Sequence, residues 1–106
     1  MTAEIYAGND DWIEVASWRG DGNKKTEPFP ISGAEWRIRW MKHSTSHRPG
    51  YITVFVHHSD NRLVGLAVNE RVMESGESYL DEQGEFYLDI VTRRCEWEII
   101  VEEKRS

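Results

Sequence analysis

Four histidines and one cysteine are the residues of this chain whose types most readily suggest chemistry. His43 and His47 lie four apart in a polar stretch, and His57 and His58 close an apolar one. Neutral imidazoles are zinc ligands, so the spacing has to be tested. A pair four apart suits one face of a helix, but Ser44-Thr45-Ser46 and Pro49 oppose a helix there. Neighbours on a strand face opposite ways, so His57 and His58 do not share one ion. What is left is a weak metal arrangement of His43 or His47 with His58 or an acid. Exposed loop histidines are the plainer reading, and no cofactor is expected.

Cys95 follows Arg93 and Arg94, whose charge would favour the thiolate that nucleophilic chemistry needs. A half-buried structural thiol accounts for it more simply. A single cysteine also excludes an intrachain disulfide and a cysteine-based zinc site. Asp10-Asp11 and Asp21-Gly22-Asn23 offer oxygens to calcium but lack the loop spacing with a distal glutamate, and read as solvated turns. A carboxylate pair for glycosidic hydrolysis needs only to meet in space, so a chain this rich in acids does not argue for one. No nucleophile elbow or phosphate-binding loop is present. The chain does not read as an enzyme.

The stretch from Glu35 to Met41 places Arg37 and Arg39 between Trp36, Ile38 and Trp40. Interleaved Arg and Trp suggest stacking on single-stranded nucleic acid or on sugar rings. Period two, however, is the signature of a strand, which sends the arginines and the rings to opposite faces. The rings are therefore expected in the core. The arginines are expected in solvent, paired across strands with acids such as Glu96 or Glu98 at about 0.2–1 kcal/mol each. Trp12 and Trp18 are less constrained, and they are the candidate ligand-binding pair.

Those residues need elements to hold them. Trp12 to Trp18 alternates without declaring a face. Gly20 to Lys25 is a loop, and Pro28 and Pro30 around Phe29 make an edge strand or arm. Tyr51 to His58 is the most β-prone run, and Ser59 to Arg62 is a four-residue hairpin loop to Leu63–Asn69. A short strand is expected near Glu77–Asp81, with a one-turn helix possible at Glu70–Glu74. Strands at Glu85–Thr92 and Cys95–Glu103 complete the chain. The expected core is Trp36, Ile38, Trp40, Ile52, Val54, Val56, Phe86, Leu88, Ile90, Trp97, Ile99 and Val101, with Phe29 as a plug. About eight strands roughly ten residues apart predict an all-β fold, an antiparallel β-sandwich, jelly-roll-like, with two sheets. Residues 1–106 form one domain, with loose termini at 1–10 and 104–106.

Trp18-Arg19-Gly20-Asp21-Gly22, Lys25-Thr26-Glu27-Pro28-Phe29, Gly33-Ala34-Glu35-Trp36-Arg37-Ile38-Arg39-Trp40, Gly84-Glu85-Phe86-Tyr87-Leu88-Asp89-Ile90 and Glu96-Trp97-Glu98-Ile99-Ile100-Val101 together resemble a short bacterial all-β domain of uncharacterised function. That domain occurs mostly in small exported lipoproteins and beside membrane-tethered or zinc-ribbon segments. The resemblance runs from about Trp12 to Glu103 and lies on packing positions and turn glycines. It implies a sandwich fold and no catalytic residue. The chain departs from it in showing no export signal.

The 106 residues are 39% apolar and 30% charged, the balance of a folded domain. A net charge of −6 disfavours duplex nucleic acid as a partner. No apolar run is long enough for a membrane span. The charge is uneven. Arg37 to Arg48 carries Arg37, Arg39, Lys42 and Arg48 without an acid. Val72 to Asp89 carries Glu74, Glu77, Asp81, Glu82, Glu85 and Asp89 without a base. Opposed segments suit a protein partner or self-association. The expected function is a non-enzymatic binding or accessory module for protein interaction. The alternatives are a carbohydrate-binding module and a small metal-binding protein. A cytoplasmic location is expected from the start of the chain, or an extracellular one if the chain was excised from a longer exported protein.

Overall fold

The computed structural model describes residues 12–104. The turn cluster Gly8–Asp11, with its candidate Asp10-Asp11, lies outside the described residues. Among these, nine strands and no helix occur: β1 (Trp12–Gly20), β2 (Lys24–Lys25), β3 (Phe29–Ile31), β4 (Trp36–Ser44), β5 (Tyr51–His58), β6 (Leu63–Glu70), β7 (Ser75–Leu80), β8 (Gly84–Arg93) and β9 (Cys95–Lys104). They form two antiparallel sheets. One has the order β1-β9-β4-β7, and the other β2-β8-β5-β6 with β3 also on β8. The chain is an all-β sandwich.

Nine strands stand where about eight were expected, because Lys24 and Lys25, expected in the loop Gly20 to Lys25, instead pair with Ile90 and Asp89 as β2, ahead of the proline-bearing β3. Thr26 donates its N–H to Leu88 O at 2.9 Å and accepts the Leu88 N–H on its own hydroxyl at 3.0 Å. A side chain thus completes the ladder across the break between β2 and β3. The one-turn helix does not form. Instead the Glu70 carboxylate accepts the N–H groups of Met73 and Val72 at 3.0 and 3.1 Å. Those amides hold its carboxyl below the ordinary carboxylate range. Lys104 is also not loose, since it closes β9 and donates its N–H to Glu35 O at 2.8 Å.

Alternation decides the core. All thirteen expected positions are buried, and Ile31 and Val68 join them. Phe29 lies between Trp18 and Trp36, with ring centroids 5.7 Å from each. Trp36 lies 5.0 Å from Phe86 across the two sheets. Two charged residues face inward at the ends of this layer. Lys42 is only 6% exposed and donates from Nζ to Arg71 O at 3.0 Å. Glu103 accepts the N–H groups of Ser32 and Gly33, fixing the turn between β3 and β4. Buried charges need such partners, and each ties a loop to the sheet.

Register breaks once in β1, between Glu14 and Ala16. Before the break Trp12 and Glu14 oppose Lys104 and Glu102. After it, Ala16 and Trp18 oppose the inward Val101 and Ile99. A bulge of one residue reverses which side of the sheet a strand's side chains occupy.

Candidate functional site

The outer face of the β1-β9-β4-β7 sheet gathers the polar and aromatic side chains of its strands. From β4 it takes Arg37, Arg39, Met41 and His43, the residues that alternate with the core. Of the two arginines expected in solvent only Arg39 is exposed, Arg37 being 16% exposed beneath its partner Glu102. From β9 come Glu96, Glu98, Ile100 and Glu102. Strand β7 adds Glu77 and Tyr79, and β1 adds Trp12 and Arg19. Two adjoining cavities cross this face, of about 590 and 500 Å³. The first is lined by Arg19, His43, Glu96 and Trp97 among others, the second by Arg39, Glu77, Tyr79 and Ile100. Met41 and Glu98 belong to both. Met41 is 52% and Tyr79 56% exposed, so the face mixes large apolar groups with ion pairs.

The ion pairs follow from register. Arg37 lies opposite Glu102, and its Nε donates to Glu102 Oε1 at 2.7 Å. Arg39 reaches Glu77 at 3.5 Å and Glu102 at 3.7 Å. Glu98 pairs with Arg19 at 3.4 Å. The expected partners of Arg37 and Arg39, Glu96 and Glu98, are therefore corrected to Glu102 and Glu77. Glu96 sits instead opposite His43. Burial works against the Arg37 charge, but hydrogen bonding with Glu102 and Tyr79 outweighs it and holds the guanidinium above its ordinary value. The Tyr79 hydroxyl donates to Glu77, which, aided by Arg37 and Arg39, keeps that carboxyl below its usual range.

Trp12 and Trp18 do not form one platform. The β1 bulge turns Trp12 to the outer face, where the Arg37 guanidinium lies 4.1 Å from its ring centre and Tyr79 6.0 Å away edge-on. Trp18 faces the core, with its Nε1 donating to Glu27 at 3.2 Å. Sequence reasoning missed Tyr79 and Arg37 as companions of Trp12. The adjacency of β4 to β7 that brings them together is a long-range pairing.

The histidines are separated. His43 is on the outer face of β4, His47 is exposed in the following loop, and His58 is half-buried at the far end of β5 against Phe86. Trp36 packs on Phe86, and His43 lies seven residues along β4, about 23 Å at strand rise. His57 faces out from the other sheet and stacks on Tyr87 at 4.9 Å. Among the described residues no group of three or more His, Cys, Asp or Glu side chains is placed to hold a metal ion. Cys95 is buried with its thiol directed at Tyr51 O at 3.4 Å, and burial pushes the thiol up, away from the thiolate. Asp21 lines the first cavity and Asn23 caps β8 by accepting the Thr92 N–H at 2.9 Å.

The two oppositely charged segments meet inside one molecule, because β4 and β7 are neighbours and Arg39 pairs with Glu77. Part of the complementarity offered for self-association is thus used within the chain.

No family model and no curated protein matches this chain. Among solved structures, a chain in "Structure of infectious bursal disease virus Gt strain" is similar, with a TM-score of 0.42 and 11% identity. The similarity covers 89% of this chain and 31% of that one, so this chain spans about a third of its neighbour's length.

Proposed function

We propose that this protein is a non-enzymatic binding module that docks a protein partner on the outer face of the β1-β9-β4-β7 sheet. The observation that carries the reading is the pair of open depressions that share Met41 and Glu98 in their linings. Tyr, Met and Arg are the residue types enriched at the centres of protein interfaces, and all three are concentrated here. Trp12 is not bare: Arg37 covers one of its faces, which favours a protein surface over a sugar platform. The strand order suits the role as well. β1 lies beside β9, β2 and β3 beside β8, β4 beside β7, and β5 beside β6, as if one long hairpin had been rolled up. We infer a jelly roll from that order, a rigid frame on which a sheet face can serve as the working surface.

Photo-crosslinking in the native host tests this. With benzoylphenylalanine at Met41, a defined protein adduct is expected. At Thr53, on the outer face of the other sheet, it is not. Adducts of equal yield from both positions, or none from Met41, would overturn the reading.

A further inference from the structure

The edges of the two sheets differ in how they meet solvent. An exposed strand edge invites another strand, and proteins blunt it with prolines, bulges or very short strands. Among the described residues, three of the four sheet edges are blunted in these ways. β1 carries its bulge between Glu14 and Ala16. β2 and β3 are two and three residues long and flank Pro28, with Pro30 inside β3. β6 slips register against β5 twice. β7 has none of these devices. It pairs with β4 in unbroken register from Trp36↔Leu80 to Met41↔Ser75 and contains no proline.

The ladder also shows which backbone groups of β7 are not used by β4. Lys42 N–H donates to Glu74 O at 2.8 Å, which makes Lys42 and Glu74 a hydrogen-bonded pair. Hydrogen-bonded positions alternate along an antiparallel ladder. Gly76, Ser78 and Leu80 therefore bond inward to β4, and the N–H and C=O groups of Ser75, Glu77 and Tyr79 point away from it. The side chains of those same three residues lie on the outer face. On the inner face Gly76 and Ser78 are small, and the Ser78 hydroxyl reaches across to Ala67 O of β6.

We propose that β7 accepts an added antiparallel strand from a basic, extended peptide segment of a partner, whose basic side chains alternate with apolar ones. This rests on the binding-module reading above, and it names the partner's chemistry and mode of docking. Charge selects the occupant. From Glu74 to Glu82 the chain carries Glu74, Glu77, Asp81 and Glu82 and no base. A second copy pairing β7 to β7 would bring two such sets of acids together, which costs stability when like charges face each other across strands. A Lys or Arg opposite Glu77 shares that carboxylate with Arg39 and Tyr79 and gains further from Glu74, Asp81 and Glu82 beside it. Residues directly opposite in an antiparallel ladder share a face, so the peptide's basic residues lie on the outer side with their N–H groups aimed at β7. Its apolar residues lie on the inner side, beside Gly76, Ser78 and Ala67. This is strand addition with specificity set by alternate side chains.

The probe is an acetylated, amidated peptide of four Lys-Val repeats, titrated into the intact chain and followed by amide hydrogen exchange in NMR. The amides of Ser75, Glu77 and Tyr79 should become protected, and Glu77→Gln should weaken binding about two- to fivefold. N-methylation of the lysine amides should weaken it about tenfold or more, whereas N-methylation of the valine amides should leave it nearly unchanged. The protein is untouched in those last two arms, so misfolding does not enter. An absence of protection at β7, equal binding of a Glu-Val peptide, or sensitivity to methylation at valine would each overturn the proposal. So would a dimer in sedimentation whose β7 amides are already protected without peptide. If the peptide instead shifts Met41, His43 and Glu98 and leaves β7 exchanging, the edge assignment falls while the outer-face module stands.

Discussion

Strand β4 carries two regions that share one backbone and nothing else. Its even positions, Trp36, Ile38 and Trp40, are buried, and Trp36 and Ile38 are wholly out of solvent. Of its odd positions, Arg39, Met41 and His43 line the cavities of the outer face, and Arg37 lies against Trp12. The difference teaches where each kind of free energy resides. Ring burial holds the fold, while the exposed ion pairs Arg19–Glu98 and Arg39–Glu77 add little to stability and are open to recognition.

The comparison breaks most visibly at Trp36. Truncation to Ala removes the ring that packs on Phe29 and Phe86. It should cost about 3–5 kcal/mol, which chemical denaturation would read as loss of most or all of a small domain's stability. A cost below about 1 kcal/mol would mean that the inward face is not the core.

A smaller effect is expected where the two faces meet at β7. A Cβ built on Gly76 would lie 2.7 Å from Trp40 Cζ2, too close for a packed indole. Gly76→Ala should therefore destabilise by about 1–3 kcal/mol through overpacking, against the usual gain from removing a strand glycine. Thermal unfolding of the variant decides the sign.

The smallest effect sharpens the outer side. The folded Glu77 carboxyl titrates below its ordinary value because the Tyr79 hydroxyl and then Arg37 and Arg39 favour its charge. A depressed carboxyl contributes stability in full above the ordinary carboxylate range. That contribution is lost as pH falls through the folded value. Tm should therefore drop on acidification slightly more steeply for the parent than for Glu77→Gln, and the two curves should converge at low pH. Parallel curves would remove Glu77 from the account.

Much of the inner face was legible in the sequence because period two is a local signal: Trp36, Ile38, Trp40, Phe86, Leu88, Ile90, Trp97, Ile99 and Val101 all declare themselves by alternation. The outer face was not, because its membership depends on which strands become neighbours. Nothing between Trp12 and Trp18 announces a bulge, which arises only against β9 and sends the two rings to opposite sides. Arg37 finds Glu102 rather than Glu96 or Glu98 because a ladder's register is set along its whole length. The split between β2 and β3 likewise depends on Thr26 meeting Leu88, sixty-two residues away.

The most direct test of the two-sided strand compares thiols at adjacent positions, in a Cys95→Ala background. Arg39→Cys should react promptly with an aromatic disulfide reagent in the native protein. Ile38→Cys should react only on unfolding. Prompt native labelling at both positions would contradict the division of β4 into a dry side and a working side.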